Sequence, residues 1–400
     1  MLVLIVFLAA YIFSQFFRSC LAVIAGDLTR DLGLGPAELG NLTAIWFITF
    51  SLSQFTIGYL LDRYGPRRTC SIIMLVAVAG AIIFGSATSY AMALTGMGLI
   101  GIGCAPILMA SLFYFGRNSP PERFPFYTSV MVGVGNLGNL LGAAPLAWAV
   151  QAIGWRSSMT AIAGMTALSA LSVYFVVRDP PRLTRVDAGG NAFTELWEII
   201  TLKPVWPCYA LTFVSYATIA AERGLWIGPF LEKVHGFDVL QRGNAAFWMA
   251  LGMAVGALSV GVLVPILGTM KRVAILGSVG AICGFFTLAM GRTLGPEATV
   301  ITLAITGLFG MCYGVILSHA RLFFPEHLLG RGVTFVNFLS IGGAGVSLAI
   351  SGQFVRASQA AGLPPVDIFS QLHLAFGVTI LVMLLYYLTA PVRPATKPGL

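Results

Sequence analysis

Apolar runs of about twenty residues recur along the chain, each closed by a short polar or Gly/Pro cluster, and this spacing predicts helices that cross a bilayer. The runs fall at roughly 2–25, 38–62, 70–88, 91–116, 125–150 and 157–177, then at roughly 205–228, 243–265, 273–291, 298–322, 333–357 and 370–391. Between the two sets lies the longest polar stretch, residues 178–204. Its Asp179-Pro180-Pro181 stops the sixth helix, because proline lacks an N–H and restricts the residue before it. Within the stretch, Phe193, Leu196, Trp197 and Ile200 share one helical face, the pattern of a short helix lying on the membrane surface. The expected fold is an all-α membrane protein: twelve transmembrane helices in two pseudo-symmetric six-helix bundles. The expected boundaries are 1–177 for the first bundle, 178–204 for the linker, and 205–400 for the second bundle with its short tail.

Composition removes the soluble alternative. Hydrophobic residues make up 58% of the 400 and charged residues 10%, against about 25% charged in a soluble domain. The net charge of +8 comes from 23 Lys and Arg scattered among apolar segments, which fits helix orientation rather than nucleic-acid binding. Fifteen of these cations fall in the loops after helices 2, 4, 6, 8 and 10 and in the C-terminal tail, and six on the opposite side. The positive-inside rule therefore predicts both termini and the linker in the cytoplasm, in a multi-pass protein of the cytoplasmic (inner) membrane. The opening run has no basic n-region and no A-x-A site after it, and reads as a retained first helix. The six cysteines show no CxxC spacing and read as packing residues, so no metal and no cofactor is expected.

The most specific signal is residues 58–68, Gly58-Tyr59-Leu60-Leu61-Asp62-Arg63-Tyr64-Gly65-Pro66-Arg67-Arg68. A weaker echo keeps Gly261, Gly268, Lys271 and Arg272, with both glycines and the Arg68/Lys271 pair 203 residues on. A repeat of half the chain at matching helix ends implies two bundles of common design. The pattern resembles the major facilitator superfamily, whose loop between helices 2 and 3 carries a G-x-L-x-D-R-x-G-R-R-like motif. The resemblance implies that Asp62, Arg63, Arg67 and Arg68, with Gly58 and Gly65, form a gating network latching the halves at the cytoplasmic face. Pro66 departs from that motif, and Pro265 stands where the second acid would be, so a one-sided latch is expected. Helix 4 has Gly96, Gly98, Gly101 and Gly103 but no arginine, so proton-coupling schemes built on that arginine do not carry over. Glycines in helices 4, 5, 8 and 11 fit close helix packing, and Met249 with Met253 reads as core rather than a soft-metal site.

Ionisable residues inside a span cost at least about 2.5–3.5 kcal/mol at the bilayer centre, so they face a partner or a watery cavity. Arg18 lies in helix 1 with Tyr11, Ser14 and Gln15 on the same side. That arrangement resembles the organic-anion and organophosphate permease branch, which grips an anion with a helix-1 arginine; snorkelling of Arg18 to the headgroups is the alternative. Helix 7 holds Glu222 and Arg223, while Ala221 stands at the position 203 residues after Arg18. Arg223 shares a face with Tyr209 and Tyr216, and Glu222 shares one with Ser215 and Thr218, so both cannot point fully into one cavity. The substrate-binding set is therefore Arg18, Tyr11, Gln15, Tyr216 and Arg223. Glu222 is a candidate for coupling or for a structural pair with an arginine. His319 and Arg321 read as gate or loop charges.

These readings lead to a secondary active transporter, a symporter or antiporter that moves a small solute, expected to be an organic anion, by alternating access. The expected partners are that solute, a possible coupling ion and the lipid bilayer, with a monomeric chain. A drug or metabolite efflux antiporter and a transporter-like membrane sensor remain as alternatives. An enzyme is not expected, since the chain has no HExxH, no G-x-S-x-G and no paired carboxylates within a span.

Overall fold

The structure is a computed structural model, and it describes residues 2–119, 124–135, 137–179, 192–291, 294–311, 313–325 and 328–392. Crossing 1 is formed by α1 (Leu2–Phe17) and α2 (Cys20–Leu32), bent by 43° at Arg18–Ser19. Helix α3 (Pro36–Gly85) carries crossings 2 and 3, divided at Gly65, whose φ of 81° and ψ of 168° suit glycine almost alone. Pro66 then opens the third crossing, where its missing N–H and fixed φ cost nothing. Helices α4 (Tyr90–Cys104) and α5 (Pro106–Asn118) make crossing 4. Crossing 5 is assembled from α6 (Phe124–Gly135), α7 (Leu137–Leu141) and the first part of α8 (Ala144–Val176), and crossing 6 follows the break at Gly154.

After the short α9 (Ala192–Thr201), crossing 7 runs through α10 (Trp206–Ala221), a π-turn at Glu222–Trp226 and α11 (Ile227–His235). Crossings 8 and 9 are α12 (Val239–Leu267) and α13 (Met270–Ala289); crossing 10 is α14 (Pro296–Gly310) with α15 (Tyr313–Arg321). Crossings 11 and 12 are α16 (Leu329–Ala360) and α17 (Pro365–Tyr387). Among the described residues, eight helical stretches are long and apolar enough to cross a membrane, nine with the bent α1–α2 pair. One of the eight, Gly133–Val176, is two crossings divided at Gly154. The two that fall outside this set, 36–64 and 206–235, are the ones carrying buried polar side chains such as Gln54, Glu222 and Arg223.

The repeat extends to the backbone. Gly33 and Gly236 end crossings 1 and 7 with φ of 66° and 70°, and Gly65 and Gly268 end crossings 2 and 8 with φ of 81° and 75°. Each pair is 203 residues apart. The spans run past the sequence estimates, to Leu32 and His235 rather than 25 and 228, because these left-handed caps terminate them.

The bundles meet closely toward the Gly33 end. A Cβ on Gly40 of α3 would lie 2.7 Å from the Leu348 carbonyl and 2.9 Å from the Gly352 Cα of α16. Nearby, Arg242 of α12 pairs with Glu232 of α11 directly over Gly26 of α2. Helix α9 carries Trp197 exposed and Ile199 buried, with the Ile199 carbonyl accepting from Tyr209 Oη at 2.8 Å. The side chains of Phe193 and Leu196 lie outside the described residues. Met249 and Met253 are buried against Gly307, as core residues are. Cys20, Cys70, Cys104 and Cys208 are buried free thiols and Cys283 is exposed; Cys312 lies outside the described residues.

Candidate functional site

Two irregular helix segments face each other between the bundles. In crossing 1 the chain tightens at the α1–α2 break, with Arg18 N–H donating to the Gln15 carbonyl at 3.3 Å and Ser19 N–H to Phe16 at 3.0 Å. In crossing 7 the π-turn opens at Glu222, which is 203 residues after Ser19. A Cβ on Gly224 would lie 3.1 Å from the Arg18 carbonyl, so the two breaks pack on one another. Irregular backbone at membrane depth persists where protein or a cavity satisfies it, and π-turns concentrate at functional sites.

Arg18 is buried, at 7% exposure. Its guanidinium carbon sits 5.2 Å from the Trp46 ring centroid and 4.8 Å from that of Phe50, two rings stacked at 5.0 Å. Its Nη1 donates to Tyr216 Oη across the bundle interface at 3.5 Å. One turn back, Gln15 Nε2 donates to Tyr11 Oη at 3.1 Å, and both side chains are buried. Arg18, Tyr11, Gln15 and Tyr216 thus come together, and Trp46 and Phe50 join them. A desolvated cation over an aromatic face gains about 2 kcal/mol, which helps hold the charge away from water. Among the described residues, the buried Trp46 Nε1 has no hydrogen-bond partner.

Arg223 reaches the other way, with Nη1 donating to Asn139 Oδ1 of α7 at 2.8 Å. Glu222 turns into its own bundle, where its Oε2 lies 3.2 Å from His373 Nε2 of α17, both side chains fully buried. The two neighbours therefore do point apart, and the printed partner of Glu222 is a histidine rather than an arginine. His373 was missed in the sequence reading, although an ionisable residue inside an otherwise apolar span is itself the signal. His319 is likewise buried, its Nδ1 2.7 Å from Tyr387 Oη, while Arg321 is exposed.

The sequence profile described as Major Facilitator Superfamily matches residues 7–349. The chain belongs to that superfamily. Among relatives of this superfamily member, the Uncharacterized transporter YybO of Bacillus subtilis (strain 168) is 24% identical over 330 residues, covering 75% of this chain and 74% of the relative. The Gallate transporter of Pseudomonas putida is 22% identical over 411 residues, 91% and 87% of the two chains. A D-xylose-proton symporter structure superposes with a TM-score of 0.80 over 97% of each chain at 14% identity, which shows the shared fold. The protein is a multi-pass membrane transporter of this superfamily.

The superfamily motif is built around the Gly65 turn. Asp179, just past crossing 6, accepts from Arg67 N–H at 2.8 Å and covers the face where Gly65 has no side chain. Arg67 Nε donates to the Tyr174 carbonyl at 2.6 Å, with its guanidinium over the Tyr174 ring at 4.4 Å. Arg63 stacks on Tyr59 and Tyr64, and Arg68 flanks a groove with Leu60 and Ile72. Gly58 faces open space. The side chain of Asp62 lies outside the described residues. These contacts of Arg63 and Arg67 tie crossings 2, 3 and 6 of one bundle together.

Proposed function

We propose that this transporter carries a small organic anion across the cytoplasmic membrane by alternating access, with bundles 1–177 and 205–400 rocking about Arg18 and Arg223 while 178–204 links them. The observation that carries this reading is Arg18, a buried arginine at a helix break that touches the opposite bundle. A guanidinium presents a planar fork of donors to a carboxylate or phosphate, and a charge kept at membrane depth is retained for a task. The similarity to a gallate transporter supports an anionic solute. Tyr11, Gln15 and Tyr216 complete the pocket walls, and the chain acts as a monomer without a resident cofactor.

The excess of Lys and Arg in loops at the Gly65 end supports a cytoplasmic position for that end and for both termini. The motif residues Gly58, Asp62, Arg63, Gly65, Arg67 and Arg68 then act as the cytoplasmic latch. An efflux antiporter for amphipathic compounds is supported by the aromatic wall of Trp46 and Phe50, but two buried arginines oppose cationic cargo. The test is a thermal-shift screen of carboxylates, sugar phosphates and cationic amphipaths on the purified protein, followed by gallate uptake into proteoliposomes. Stabilisation by cationic amphipaths with none by any anion refutes the anion reading.

A further inference from the structure

Beside the arginines lies an acid–base pair that the anion site does not use. Glu222 and His373 have 0% side-chain exposure, and among the described residues Glu222 Oε1 and His373 Nδ1 have no hydrogen-bond partner. The walls are aromatic: the Phe230 ring of α11 is 4.7 Å from the His373 ring, edge-on, and Phe285 of α13 is 6.3 Å from it. A net charge in such a place is costly unless a counter-charge stands close by. The pair holding one proton between Glu222 Oε2 and His373 Nε2 is neutral overall, and losing that proton leaves one negative charge.

The surrounding charges are few. Arg223 is the next residue in the same π-turn. His235 stands behind Phe230, with its Nε2 3.2 Å from Thr299 Oγ1. Glu232 of α11 is engaged by Arg242, and Asp367 opens α17 six residues before His373. The cations of α13, Lys271 and Arg272, lie in its first turn, some fourteen residues from Phe285. Arg223 is thus the cation coupled most directly to the pair, and it also holds Asn139 of the opposite bundle.

We propose that Glu222 and His373 form a proton-binding site whose occupancy follows the anion on Arg18 and Arg223, so that one proton binds with each anionic charge. The proposal rests on the anion reading above. With no anion bound, Arg223 balances the Glu222 carboxylate, and the shared proton departs to water. An anion arriving on the arginines takes up that balance, and the carboxylate–imidazole pair gains one proton from the same aqueous side. Both are released to the other side after the bundles rock. One O–H or N–H bond forms on loading and breaks on unloading, and no uncompensated charge crosses the membrane. The π-turn carries the coupling because it holds Glu222 toward α17 and Arg223 toward α7 in consecutive residues.

The first test needs no solute. Infrared spectra of the full chain in lipid nanodiscs, titrated from alkaline to acid pH, should show a protonated-carboxyl band that is absent in Glu222→Gln and shifted in its titration in His373→Gln. The same band in wild type and Glu222→Gln overturns the site. The second test uses labelled gallate in proteoliposomes. Wild type should exchange gallate and also accumulate it down an inward proton gradient, up to about tenfold per pH unit for one proton per anion. Glu222→Gln should keep the exchange and lose the accumulation, and gradient-driven accumulation by that variant overturns the coupling. Wild type that moves no gallate in either mode counts against the anion reading, while the infrared band still decides the proton site.

Discussion

Replacing Arg18 by lysine separates a fork that grips an anion from a cation that merely fills a pocket. Lysine keeps the positive charge and can still sit over Trp46 and Phe50, whose centroids lie 5.2 Å and 4.8 Å from the guanidinium carbon. Much of the cation–π stabilisation therefore survives, and expression and thermal stability should stay near wild type. What lysine cannot do is offer two parallel N–H donors to one carboxylate. The Tyr216 contact, at 3.5 Å, is too long to contribute much in the resting state. The loss thus falls on the anion: one charge-assisted hydrogen bond, about 1.5–3 kcal/mol, or roughly ten- to hundredfold in Kd. Arg18→Ala removes both bonds and the charge, and binding should become undetectable while the fold persists. Tyr216→Phe should change affinity far less than either. The assay is calorimetric titration of gallate into each purified variant, in detergent and in nanodiscs. Equal affinity in Arg18→Lys and wild type would refute the anion grip and leave Arg18 a structural cation.

Four further outcomes follow from the same geometry. Single cysteines at Asp238 and Arg117, both exposed and at opposite ends, should differ in intact cells: the first reacts with an impermeant thiol reagent and the second does not, and the reverse pattern overturns the orientation. Asp62→Asn should lower transport more than ligand affinity by shifting the balance of open states, and unchanged flux at normal expression would reduce the motif to a turn. Asp179→Ala removes the carboxylate that caps the third crossing at Arg67 N–H, so it should destabilise by about 1 kcal/mol in reversible unfolding without altering gallate affinity. Asp31, in the polar last turn of α2 outside the apolar span, accepts from Trp155 Nε1 at 2.9 Å and from Arg156 Nη1 at 2.6 Å, and these bonds hold its carboxyl below the ordinary range. A depressed carboxyl contributes stability above its unfolded-state pKa, so Asp31→Asn should lower Tm at neutral pH and lose that effect as the pH falls into the acid range.

The sequence discloses spans and turns for a plain reason: in lipid the backbone bonds must close within each helix, so long apolar runs leave no other structure. Gly33, Gly65, Gly236 and Gly268 are legible for a related reason, since a left-handed turn almost demands glycine. The interior of the spans is different. Nothing in Phe17-Arg18-Ser19-Cys20 or in Glu222-Arg223-Gly224-Leu225-Trp226 marks a break, because an extra or missing residue in a helical turn carries no periodic signature. Nor does spacing disclose that Glu222 meets His373, 151 residues away on another helix.

The repeat reconciles these two levels. Position by position, Ala221 stands where a second arginine would mirror Arg18, and the symmetry fails. At the level of backbone it holds, because the break at Ser19 and the start of the π-turn at Glu222 are 203 residues apart, like the glycine pairs. What differs is the direction each break sends its cation. Arg18 lies among Trp46 and Phe50 of its own bundle and touches Tyr216 of the other, whereas Arg223 passes straight across to Asn139. The C-terminal break also carries an acid one residue earlier, and that acid has its partner inside the bundle. Two breaks of common origin thus hold a solute-facing cation in one bundle and a cation with an adjoining acid in the other. A tandem fold that departs from its symmetry in this way has separate groups available for the solute and for a proton.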